Sequence, residues 1–88
     1  MALTTIELAR AREATSLLLD ELGLKAYLFE VDIADGQWLV KVDCALDGGG
    51  WQTVVLPARE IPLVITGDDA ARRRLLASWR ERLSACRI

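Results

Sequence analysis

The chain has 88 residues, of which 52% are apolar and 27% charged, with a formal net charge of −2 and no histidine. That balance predicts one folded domain over residues 1–88, with too little chain for a second core, and excludes a disordered or fibrous polymer. No apolar run approaches the roughly 20 residues of a membrane-crossing helix, so no membrane partner is expected.

Thr4 followed by Glu7 is a capping-box pattern, and it predicts a helix over 5–22. At 100° per residue, Ala11, Ala14, Leu18 and Leu22 form one stripe, flanked by Leu8, Leu17 and Leu19, while Arg12, Glu13, Ser16 and Asp20 lie opposite. Gly23 supplies a left-handed terminator. The start of the chain carries charge from Glu7 onward and has no apolar segment before a cleavage site. It therefore does not read as a secretory signal, and the expected address is the cytoplasm.

From Lys25 the period changes to two. Tyr27, Phe29, Val31 and Ile33 alternate with Leu28, Glu30 and Asp32, and Trp38, Val40, Val42 and Cys44 alternate with Leu39, Lys41 and Asp43. Between the runs stands Asp35-Gly36, the preferred pair for a two-residue type I′ turn. That turn sets Ile33 against Trp38, Val31 against Val40, Phe29 against Val42 and Tyr27 against Cys44. All apolar pairs then share a face, and Glu30 meets Lys41 on the other.

A third strand is expected over Trp51 to Leu56. A four-residue loop from Asp47 to Gly50 would pair Leu46 with Trp51 and turn Trp51, Thr53 and Val55 toward the core. Three consecutive glycines leave open the register that buries Val54 and Leu56 instead. Pro57 and Pro62 exclude a long helix in the next segment, where an irregular crossing with one helical turn is expected. Thr66 or Asp68 should cap a last helix whose apolar stripe is Leu75, Leu76, Trp79, Leu83 and Cys86. The predicted fold is α+β, in the order α-β-β-β-α, with a three-stranded antiparallel sheet and two helices packed on one face.

Few residues suggest chemistry. Placing Gly36 at the sixth position of a calcium loop leaves only Asp35 among the required oxygen ligands, so Asp32, Asp35 and Asp43 read as solvated acids. Gly48-Gly49-Gly50 precedes a strand, where a phosphate loop would precede a helix. The absence of histidine removes His-dependent triads and imidazole metal sites. Cys44 and Cys86 have no Cys-x-x-Cys spacing and read as free thiols. Neither a metal, a cofactor nor catalysis is expected.

Two features point to binding. The first is the sheet face away from the helices, where Leu28, Leu39 and Val54 stand among charged residues and form the expected protein-binding surface. It would take a protein partner or a second copy in a homodimer, unless the 57–66 segment covers it with Ile61, Leu63 and Ile65. The second feature is charge. Residues 1–60 carry five basic residues against ten acids, and residues 61–88 carry six arginines against three. Arg72, Arg73, Arg74 and Arg80, continued by Arg82 and Arg87, make the last helix basic.

In its order of elements, and in that basic last helix, the chain resembles the double-stranded RNA-binding domain. The resemblance covers most of the chain, and implies as the alternative function nucleic-acid binding through Arg72, Arg73, Arg74 and Arg80. In that family the first hairpin loop carries Gly-Pro and a His, where this chain has Asp35-Gly36. Its first helix touches the minor groove, where this chain has Glu7, Glu13, Asp20 and Glu21.

Overall fold

The computed structural model describes residues 5–86. Helix α1 (Thr5–Leu22) is followed by strands β1 (Tyr27–Ala34), β2 (Gln37–Ala45) and β3 (Trp51–Pro57), a short helix α2 (Ile61–Ile65) and helix α3 (Asp69–Arg82). The strands form one antiparallel sheet in the order β1-β2-β3. Thr4 of the expected capping box and Arg87 of the basic cluster lie outside the described residues.

The β1–β2 hairpin has the register its sequence implies. Asp35 at φ 51° and Gly36 at φ 74° make the turn, where two successive positive φ values match the right-handed twist of the strands. Ile33 then pairs with Trp38, Val31 with Val40, Phe29 with Val42, Tyr27 with Cys44 and Glu30 with Lys41. A slip of one residue would turn Val31, Val40 and Val42, all buried, toward water.

The β2–β3 register corrects the preferred expectation and takes the alternative. Ala45 pairs with Trp51, Val42 with Val54 and Val40 with Leu56. The Leu46 N–H donates to the Gly50 carbonyl (3.1 Å), so the loop proper is the three residues Asp47, Gly48 and Gly49. Such a loop closes through a left-handed residue at its third position, which Gly49 supplies at φ 91°. A four-residue loop would have shifted β3 by one place and reversed every side chain on it. As built, Leu56 is fully buried and Val54 packs against the core, so Val54 does not belong to the open face.

The helices lie on the Val31/Val40/Val42/Leu56 side. From α1 come Ala11, Leu18, Leu19 and Leu22, and from α3 come Leu75, Leu76 and Trp79. Trp79 is completely buried, and its indole N–H donates to the Pro57 carbonyl at 2.9 Å, which satisfies a polar group that would be costly to leave alone in the core. Asp68 caps α3 by accepting the Ala71 N–H at 3.0 Å. Thr15, on the inner face of α1, is buried with no partner for its hydroxyl among the described residues.

The segment after β3 does not cross the second sheet face. Ala58 and Ile61 are buried in the helix layer, and α2 packs against α1 and α3. Pro62 sits in the first turn of α2, where its missing N–H has no helical acceptor to lose.

The cysteines correct a second expectation, for Cys44 and Cys86 form a disulfide. Cys44 faces the core from the central strand, and Cys86 is brought beside it by the turn after α3, where residues 46 and 86 make an isolated bridge. Sequence spacing does not reveal this pairing, because the two residues are 42 apart and meet only when α3 has packed. Closing a loop of that length removes chain entropy from the unfolded state equivalent to about 4 kcal/mol. Cys86→Ser, or dithiothreitol, is therefore expected to lower the unfolding free energy by about 2–4 kcal/mol, seen as a fall in the urea midpoint. Two reactive thiols in the denatured, unreduced protein, with a midpoint indifferent to reductant, would contradict this.

Candidate functional site

The outer face of the sheet is built by the residues that alternate with the core set. Crossing from β1 to β3, its rows are Leu28, Asp43 and Thr53; Glu30, Lys41 and Val55; and Asp32, Leu39 and Pro57. Beyond the first row Ala45 pairs with Trp51. Leu28 is 67% exposed, Trp51 60% and Val55 48%, and Leu39 is half-buried. The sites expected from sequence thus divide: Leu28 and Leu39 lie on this face, while Val54 lies on the other. Trp51 and Val55 take its place, and no local signal marks them, because the glycines at 48–50 permit a loop of three residues or of four.

The polar groups of the face are held by one another. The Thr53 hydroxyl donates to Asp43 across the β2–β3 pair, and the Ile33 N–H donates to the Asp32 carboxylate at 2.8 Å. A shallow depression lies among Leu28, Glu30, Lys41, Asp43 and Thr53. Among the described residues no group of three or more Cys, Asp or Glu side chains is arranged to hold a metal ion.

The arginines of α3 are divided by internal pairing. Arg72 is bound to Glu21 at the end of α1, and Arg74 donates to Glu60 at 2.9 Å. Both pairs are largely exposed, and pairs of this kind contribute roughly 0–1 kcal/mol. Arg73 and Arg80 are exposed on the outer side of the helix. Of the four residues expected to meet nucleic acid, two therefore have carboxylate partners within the chain and two stand in solvent.

No helix among the described residues is long and apolar enough to cross a membrane. A comparison of the chain with protein-family models, with curated proteins and with solved structures finds no match.

At the rim of the core side, the Tyr27 hydroxyl donates to Asp20 at 2.8 Å and ties β1 to α1. Its pKa is raised above 10.0, first by burial, then by the hydrogen bond to Asp20 and the charge of that carboxylate. Ionisation of Tyr27 is disfavoured in the fold, so its contribution to stability is complete below pH 10 and is lost as pH rises through the raised value. The chain has a single tyrosine, so an ultraviolet titration reads this group alone. Its midpoint should lie above that of the unfolded chain and move down in Asp20→Asn; coincident midpoints would show that the bond is absent.

Proposed function

We propose that the domain acts by binding a protein on the open face of its sheet, through Leu28, Leu39, Trp51 and Val55. The observation that carries this reading is the coincidence of three large exposed apolar side chains on one uncovered face. Single exposed apolar residues are ordinary, whereas a group of them on one face is the usual mark of a contact surface. Burying a leucine or valine that is otherwise in water stabilises by about 1.5–3 kcal/mol, so three such side chains can support an interface of modest size.

A homodimer and a complex with another protein would use the same surface. Neither requires catalysis, and the face holds no histidine or cysteine that could act as an activated nucleophile. The paired cysteines favour a setting in which thiols oxidise over the reducing cytoplasm. The second reading, binding of structured RNA by α3, is supported by the solvent-facing arginines Arg73, Arg80 and Arg82, and opposed by the carboxylates on Arg72 and Arg74.

An affinity capture from the native lysate, with nuclease added, separates these. Leu28→Lys combined with Trp51→Lys should abolish specific capture, and Arg73→Ala combined with Arg80→Ala should leave it intact. Capture that survives the sheet substitutions but disappears with nuclease, or with the arginine substitutions, would replace the protein-binding reading by the nucleic-acid one.

A further inference from the structure

We infer that the occupant of the open face is a protein segment in which apolar side chains alternate with lysine or arginine, and not a second copy of this chain. The inference rests on the reading of that face as protein-binding, and it names the chemistry of the partner.

The charge carried by the strands lies on one side of the sheet. The three strands carry four charged residues, Glu30, Asp32, Lys41 and Asp43, and the pleat sends all four to the open face. Three are carboxylates and one is an ammonium. Lys41 stands opposite Glu30 in the register, which leaves Asp32 and Asp43 as the uncompensated charges beside Leu28 and Leu39. Their hydrogen bonds to the Ile33 N–H and the Thr53 hydroxyl fix their positions without removing their charge.

The arginines of the described chain lie elsewhere. Arg10 and Arg12 are on α1, Arg59 precedes α2, and Arg72, Arg73, Arg74, Arg80 and Arg82 are on α3. A twofold dimer joined through the open face would set each copy's acidic surface against the same acidic surface, with only the two Lys41 ammoniums to offset it. Juxtaposed like charges in a desolvated interface are strongly unfavourable, so the face selects against itself.

Trp51 adds to the preference for a cation. An exposed indole is the best aromatic surface for an ammonium or guanidinium, because the ring quadrupole is negative over its face. Each sheet edge lacks one donor at a strand end. The Ile33 N–H is already taken by Asp32 near one end of β1, and Pro57 on β3 has no N–H to offer an added strand. A segment lying across the face would place its apolar side chains against Leu28, Leu39 and Val55 and its cations toward Asp32, Asp43 and Trp51.

The probes are two synthetic twelve-residue peptides, one alternating leucine with lysine and one alternating leucine with glutamate. Each is titrated into the isotope-labelled full chain while amide shifts are followed by NMR. The leucine–lysine peptide should give saturable shifts on the open face around Leu28, Asp43, Trp51 and Val55, and bind at least roughly tenfold more tightly than its glutamate counterpart. Asp32→Asn with Asp43→Asn should weaken it by roughly tenfold, while Glu13→Gln with Glu81→Gln, the same change in net charge on the helix layer, should alter it less than about twofold. Equal effects of the two double variants would show attraction to net charge alone and overturn the inference.

Other outcomes are decided separately. Equal binding of both peptides on the face would overturn the cationic preference and leave the protein-binding surface standing. Saturable shifts confined to the helices would overturn the surface as well. A concentration-dependent dimer, dissociated by Leu28→Lys, would make a second copy the occupant and overturn the inference alone.

Discussion

Strand β2 is the constraint on which the rest of the molecule depends. It runs through the middle of the sheet with Val40, Val42 and Cys44 on one side and Leu39, Lys41 and Asp43 on the other. Because it pairs on both edges, its alternation determines which half of β1 and which half of β3 enters the core. The inner half receives both long helices, the Trp79 side chain and the disulfide to Cys86. The outer half is left with every charge that the strands carry.

The first half of the fold was legible because its signals are local. The stripe of α1, the Asp35-Gly36 turn and the alternation on either side of it each fit within a few residues, and they agree with one another. The register of β3 was not legible, because it turns on whether three glycines close a loop of three residues or of four. Glycine tolerates either, so composition alone is silent. Residues beyond the loop make the choice: Leu56, Ala58 and Ile61 all enter the core, and the Pro57 carbonyl receives the Trp79 indole. The disulfide was hidden for the same reason, since Cys44 and Cys86 become neighbours only after α3 has docked.

The candidate site depends on that register. Reading β3 one place out put Val54 on the open face and hid Trp51 and Val55, while Leu28 and Leu39 were correctly placed because their strands were correctly paired. The basic character of the last helix was also visible in the sequence, but its partners were not: Glu21 and Glu60 are 51 and 14 residues from the arginines they meet. Packing thus turns part of an apparent phosphate-binding cluster into links between helices. It leaves an acidic, apolar sheet face and an arginine-bearing helix layer on opposite sides of one small domain.

The central claim is that the sheet has an uncovered outer face bearing Trp51, Val55 and Leu28, with Val54 and Leu56 turned inward. Solvent paramagnetic relaxation, produced by a soluble gadolinium chelate and read on side-chain protons by NMR, tests it directly. The account predicts strong relaxation of the Leu28 and Val55 methyls and the Trp51 indole, and weak relaxation of Leu56, with Val54 between them. Protected Trp51 and Val55 beside strongly relaxed Val54 and Leu56 would contradict it, and would restore the register in which the other face of β3 meets the core.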